Sequence, residues 1–299
     1  MVAQERFFAG VELGGTKSIA VLARGAEIVE QVTLPTSDAS ETLGALSARL
    51  QGWAGGHALS ALGIASFGPI RLDPAARDYG RMLETPKPGW AGAPVAQALT
   101  AGLDCPWLID TDVNGAALAE YRWGAGRGTT SLCYVTIGTG VGGGLVIEGR
   151  AVHGAMHPEI GHLRLRRLAG DSFAGACRFH GDCIEGLISG PALAARFGSD
   201  PAQVSDHDSR WEAVASDIAE LAAAIVLTTS AQRILIGGGV GLARPALLDR
   251  ARALLVKRQG AYLPFLDADT AQAMLRAPEL GEHAGPLGAI ALAMAATEG

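Results

Sequence analysis

The chain has 299 residues, of which 48% are hydrophobic and 18% charged, with a formal net charge of −6. That composition describes a packed globule with one large core or two medium ones, and it excludes a disordered chain. The acidic balance, with no Lys/Arg cluster larger than residues 164–167, argues against nucleic acid or an anionic membrane as a partner. The N-terminus, MVAQERFF, mixes charges of both signs and lacks the apolar run of an export signal. The longest apolar helical stretch, 218–231, carries Glu220 and is too short to span a bilayer. A cytoplasmic protein of two domains is expected.

Taken in chain order, residues 8–13 read as a strand running into Gly14-Gly15-Thr16, and a second β-rich run follows to residue 22. Residues 28–33 read as a third strand. Leu43, Leu46 and Leu50 give 40–53 helical spacing, ended by Gly55-Gly56. A strand at 62–67 leads into Gly68-Pro69. Residues 73–90 then form an excursion rich in Pro, Gly and charge, of the kind that often carries substrate contacts. A short strand at 107–109 delivers Asp110-Thr111-Asp112-Val113-Asn114 to a helix that runs to about 123 and stops at Gly124. A carboxylate at a helix start can simply cap it, and Asp112 is open to that reading. Its place between two glycine turns points to the lobe junction instead.

The second of those turns lies in 134–147, YVTIGTGVGGGLVI, which echoes the pattern of 8–22. Gly138-x-Gly140-x-x-Gly143 satisfies the dinucleotide pattern, but that pattern needs a helix to begin on the glycines. Leu145-Val146-Ile147 and the turn Glu148-Gly149 follow, which reads as a hairpin. Gly14-Gly15-Thr16-Lys17-Ser18 is no P-loop either, since it lacks the Gly-Lys pair and the preceding spacing. Bare backbone N–H groups at such turns can surround phosphate oxygens, so two of them can hold one polyphosphate between two lobes. Two ligand-free β-turns are the alternative. Further on, 153–185 departs from regular periodicity, and 189–197 and 211–230 read as helices. The strand 233–236 ends in a third glycine turn, Gly237-Gly238-Gly239, with a helix after Pro245. Residues 285–296 form a small-residue helix.

Four cysteines are present. Cys105 and Cys133 sit in apolar surroundings and read as core fillers. Cys177-x-x-His180-x-x-Cys183 is a close Cys/His set, which points to a metal before a disulfide in a chain without an export signal. With His162 it makes the four ligands of a closed, structural zinc site. His153, His157 and Cys105 compete for the fourth place. Glu159 and Glu185 flank the set, and paired carboxylates suit sugar hydroxyls, although both also read as solvated surface charges.

These motifs together resemble the ROK family of sugar kinases, above all its fructokinase branch, over nearly the whole chain from about Gly10 onward. The likeness rests on Gly14-Gly15-Thr16-Lys17, Asp112-Val113-Asn114, Thr136-Ile137-Gly138-Thr139-Gly140, Glu159-Ile160-Gly161-His162, Cys177 to Glu185, and Gly237-Gly238-Gly239. It implies an α/β protein with the actin-like ATPase (ribonuclease H-like) fold, two α/β lobes around a cleft. The first lobe would be 1–119 with helix 284–299 packed back on it, and the second 120–283 with zinc segment 153–185.

The likeness implies transfer of the γ-phosphoryl group of ATP to a hexose, D-fructose to fructose 6-phosphate, with Mg2+ bound alongside ATP. Asp112 would be the general base. Glu12, Gly14, Gly15, Thr16, Lys17, Gly138, Thr139, Gly140, Pro191, Gly237, Gly238 and Gly239 would serve the nucleotide, Glu12 through Mg2+, either directly or by way of a bound water. Asn114, Glu159, His162 and Glu185 would contact the sugar, and zinc would fall on His162, Cys177, His180 and Cys183. A homodimer is also implied.

Two departures stand out: Glu12 replaces the usual Asp of the first motif, and His180 with a shortened spacing replaces the usual middle Cys of the metal set. That variant, with Thr85-Pro86-Lys87-Pro88-Gly89-Trp90, is what resembles fructokinases. Rival readings are a kinase for glucose, mannose or an N-acetylhexosamine, a non-catalytic sugar-binding module, and a sugar-responsive repressor. The last needs an N-terminal helix-turn-helix, for which the phosphate turn at Gly14 leaves no room, and a basic footprint that is missing.

Overall fold

The structure, a computed structural model, describes residues 6–298. The expectation of no export signal, which rests on residues 1–8, therefore falls largely outside them. Two α/β units are present: one holds the chain up to Trp123, Arg150–His157 and the stretch from Leu280 onward, the other Gly124–Gly149 and Pro158–Glu279.

In the first unit β1 (Phe7–Leu13), β2 (Lys17–Arg24) and β3 (Glu27–Pro35) form an antiparallel meander. Helix α1 (Ala39–Gly56) leads to β4 (Leu59–Ser66), which pairs parallel with β1. The short α2 (Val95–Thr100) precedes β5 (Trp107–Thr111), parallel to β4, and α3 (Asp112–Trp123) follows at once, so the sheet order is β3-β2-β1-β4-β5.

The second unit opens with the antiparallel hairpin β6 (Ser131–Ile137) and β7 (Val141–Ile147), as its glycine pattern predicts. The two-residue β8 (Arg150–Ala151) falls in the first unit. Then come α4 (Ile184–Ile188), α5 (Gly190–Phe197), α6 (Arg210–Thr229), β9 (Arg233–Gly237), α7 (Gly238–Ala243), α8 (Pro245–Gln259), α9 (Ala268–Met274) and β10 (Leu275–Arg276). Strand β9 lies parallel between β6 and β10. Cys133, Val135 and Ile137 of β6 join Ile218, Leu221, Ala222 and Ile225 of α6 in one core. The last helix, α10 (Ala284–Ala295), returns to the first unit.

Alternation along β1 sets the first unit's two faces. Ala9, Val11 and Leu13 join the core built on Leu43, Leu46, Leu50 and Trp53 of α1, a helix capped by Asp38 through the Ser40 and Glu41 amides. Phe8 turns the other way, into a cluster with Ile290 and Ala293 of α10, and Gly10 and Glu12 share its face. That face is lined by very small residues. A Cβ at Gly63 of β4 would lie 1.9 Å from the Ala289 carbonyl oxygen and 2.5 Å from the Ala293 amide, so α10 rests directly on the strand backbone. Gly63→Ala must push a whole helix outward, and a loss of about 3 kcal/mol is expected, lowering the melting temperature by roughly 5–10 °C. Thermal unfolding followed by circular dichroism checks it; an unchanged midpoint would mean that α10 does not press on this strand.

The Pro/Gly-rich excursion is ordered. Trp90 is fully buried edge-on against Phe67, and its indole nitrogen donates to the Ser37 carbonyl at 2.9 Å. Helices α2, α4 and α9 and strand β10 fall where the sequence reading placed no element. Gly238-Gly239, read as turn, already begin α7. Among the described residues no helix is long and apolar enough to cross a membrane.

Candidate functional site

The hairpin β1–β2 places Gly14-Gly15-Thr16-Lys17 at its tip, and each carbonyl of that turn is held by a protein donor. Thr36 Oγ1 donates to Gly14 O at 2.8 Å, Lys87 Nζ to Gly15 O at 2.7 Å, Thr36 N to Thr16 O at 2.9 Å, and Gly14 N to Lys17 O at 3.0 Å. Thr36 Oγ1 lies in turn 2.7 Å from the buried Ser18 hydroxyl. Among the described residues the Gly15 and Thr16 amides donate to no protein acceptor, and both residues are exposed. A turn whose oxygens are tied back and whose N–H groups point outward is suited to an anion.

On the same unit, β5 hands over to α3 with no linker, so its last residues and the helix start converge. Thr111 Oγ1 accepts from the Asn114 amide at 3.2 Å, which is the capping bond. Asp112 is thereby largely relieved of capping; its Oδ1 accepts from the adjacent Val113 amide, at 2.9 Å. Burial, reinforced by the nearby Glu12 carboxylate, pushes Asp112 up to about 7. Burial also raises Glu12, against the opposing pull of Lys17. Glu12, half-buried just ahead of the phosphate turn, is a fitting oxygen acceptor for the water shell of a hard divalent ion such as Mg2+.

Asp110, also buried, accepts from the Thr111 amide and from Asn114 Nδ2, both at 2.7 Å, while its other oxygen lies 3.0 Å from His153 Nε2. The Asp110 carboxylate holds His153 above its ordinary value through that hydrogen bond. With Nδ2 fixed, the buried Asn114 Oδ1 is left without a protein donor among the described residues.

In the second unit the turn Gly138-Thr139-Gly140 is braced from outside. Gly190 N, at the start of α5 beside Pro191, donates to Gly138 O at 2.7 Å, and Glu185 Oε2 accepts from the Val141 amide at 3.2 Å. Glu185, expected at the sugar, thus stands against the glycine turn. Gly237 ends β9, and Gly238 takes the left-handed backbone that lets α7 start immediately.

Glu159 is exposed and precedes a tight turn at Ile160–His162. Gly161 makes that turn possible: a Cβ there would sit 1.8 Å from the Val141 carbonyl oxygen. The turn aims His162 at the cysteines. One ligand atom each from His162, Cys177, His180 and Cys183 lies within 4.8 Å of the others. Cys177 Sγ is 3.9 Å from both His162 Nδ1 and His180 Nδ1, and Cys183 Sγ is 3.6 Å from His162 Nδ1. A tetrahedral zinc with ordinary bond lengths gives S···N edges of about 3.6 Å, so the set fits that ion. Burial above all, with the neighbouring Cys177 and Glu185 adding to it, pushes the Cys183 thiol up to about 11, and a cation is what would hold it as thiolate. His153 and His157 fall in the other unit, and Cys105 packs against the α1 core.

Asp110 and Lys87 enter the sequence analysis only inside longer motifs and with no role of their own, Thr36 does not enter it, and His153 enters as a spare ligand. The one sequence signal for Asp110 is its two-residue spacing from Asp112 across the strand end.

Residues 8–296 match the ROK family model. A fructokinase from Zymomonas mobilis is 36% identical over 300 residues, covering 98% of this chain and 98% of that protein. A fructokinase from Pediococcus pentosaceus is 33% identical over 290 residues, covering 96% and 97%. Among solved structures, a ROK hexokinase from Thermus thermophilus aligns with a TM-score of 0.78 at 28% identity, covering 98% of this chain and 99% of that one. The fold is the actin-like ATPase fold of the ROK sugar kinases. With the family model spanning nearly every described residue and relatives matched along almost their full length, the chain belongs to the ROK family.

Proposed function

We propose that this protein transfers the γ-phosphoryl group of ATP to a hexose hydroxyl, converting D-fructose to fructose 6-phosphate. The observation that carries the reading is Asp112: a carboxylate raised to about 7, relieved of capping by Thr111 and set on the same unit as an anion-ready glycine turn. A base near pH 7 accepts a hydroxyl proton efficiently. Phosphoryl transfer has a loose transition state, so positioning and charge neutralisation carry most of the barrier reduction. Mg2+ bound with ATP supplies part of that neutralisation.

Gly14, Gly15, Thr16 and Lys17 serve the phosphates in this reading, as do Gly138, Thr139 and Gly140. Asn114, Glu159, His162 and Glu185 serve the sugar; the buried free Oδ1 of Asn114 is an acceptor for a hydroxyl. Zinc on His162, Cys177, His180 and Cys183 is structural, since four protein ligands leave no open position. The family likeness further supports a cytoplasmic homodimer.

Fructose is favoured over other hexoses by relatives named fructokinase that match almost the whole chain. A panel of fructose, glucose, mannose and N-acetylmannosamine with MgATP tests this, with fructose expected to give the highest kcat/KM. A larger value for another sugar would move the substrate assignment, and no turnover with any hexose would end the kinase reading.

A further inference from the structure

The segment Thr85-Pro86-Lys87-Pro88-Gly89-Trp90 belongs to the excursion that the sequence reading gave to substrate contacts. Its lysine points elsewhere. Lys87 Nζ donates to two main-chain oxygens, Gly15 O and Thr36 O, each at 2.7 Å. These carbonyls belong to different elements: one to the tip of the β1–β2 hairpin, the other to the residue that follows β3 and itself bonds Gly14 O and Thr16 O. The ammonium therefore closes a ring of hydrogen bonds around the phosphate turn.

We propose that Lys87 is a positioning residue for the nucleotide phosphates, strapping the excursion to the first glycine turn and fixing the direction of its free amides. This rests on the kinase reading above and deepens it. An ammonium carries three N–H donors; two are spent on the carbonyls, and the third, with the full positive charge, remains beside the turn. Holding Gly15 O also fixes the peptide plane between Gly15 and Thr16, and with it the Thr16 N–H. Space beside Gly15 is open, since a Cβ built there would meet no atom within 4 Å, so the strap supplies what packing does not. The excursion end of the strap is itself anchored: Thr85 Oγ1 donates to Gly68 O at 3.2 Å and accepts from Lys87 N at 3.4 Å, and Trp90 is buried. A loop that looks like a sugar-side element is thereby wired to the nucleotide side.

The test compares the full-length wild type with Lys87→Met, which keeps the side chain's length and loses its donors and charge. Calorimetric titration with MgADP, without sugar, reads nucleotide binding apart from turnover, and steady-state kinetics read KM for ATP and for fructose. Loss of two charge-assisted hydrogen bonds predicts MgADP binding and KM for ATP weakened by about tenfold or more, with KM for fructose changed less than about threefold. Asp78→Asn, which breaks the partly exposed Arg71–Asp78 pair of the same excursion and leaves the lysine and its anchors in place, is the control and should bind MgADP within about twofold of the parent. Equal MgADP affinity in wild type and Lys87→Met, or a rise confined to KM for fructose, overturns the proposal. If Lys87→Met fails to fold, Thr85→Val takes its place, with a smaller loss of MgADP affinity expected and no loss overturning it. A wild type that binds no MgADP would instead sink the kinase reading.

Discussion

Asp112→Asn is expected to lower kcat by about 10²-fold or more while leaving MgATP binding nearly intact. The substitution is almost isosteric, and Thr111 rather than Asp112 caps the helix, so the start of α3 should persist. What disappears is a group able to accept the hydroxyl proton. The same residue dictates a pH dependence. Burial and the Glu12 charge raise Asp112 to about 7, so the competent carboxylate is lost as pH falls through that value. Wild-type kcat/KM should then drop ~10-fold per pH unit on the acid side, and the variant should lack this limb. Stability moves the other way. A carboxyl with a raised folded-state pKa binds its proton more tightly folded than unfolded, so its contribution is greatest at acid pH and is lost as pH rises from the ordinary Asp range to about 7. At neutral pH the Asn variant should melt no lower than the parent, and above it if the charge is strained. Rates within about threefold of the parent would remove Asp112 from the role of base.

Removing the zinc proposed at His162, Cys177, His180 and Cys183 is expected to raise KM for the hexose by roughly tenfold or more, with a smaller effect on MgADP binding. His162 and Cys183 lie in separate pieces of irregular chain, drawn together at 3.6 Å. Glu159 is tied to this set through the turn at Ile160–His162, and Glu185 sits two residues beyond Cys183. Between them, residues 163–183 contain few elements and little apolar surface to hold a shape unaided. Chelation followed by hydrogen exchange should show 158–185 losing protection while the β6–β7 hairpin keeps it. Elemental analysis finding no stoichiometric zinc in freshly purified protein would end the assignment.

Features carried by short repeats were legible in the sequence, and those carried by distant pairings were not. Period-two alternation and glycine turns located β1–β2 and β6–β7, and the absence of a helix after Gly143 separated that hairpin from a dinucleotide fold. Cys177, His180 and Cys183 declared themselves by spacing. The Asp110–His153 contact joins residues on either side of the β6–β7 hairpin, and no short-range pattern pairs them. Lys87 hid for a second reason: proline and glycine around it advertise a loop, and only the fold tells which backbone that loop reaches. Helices α2, α4 and α9, of five to seven residues, are too short to show a full amphipathic period.

The placement of α10 bears on how the chain comes to its native state. Strands β1 and β4 cannot bury their glycine-lined surface until α10, made far downstream of them, arrives. The inserted second unit has all its partners sooner, so a ribosome-bound intermediate should contain a settled insert and an unfinished host.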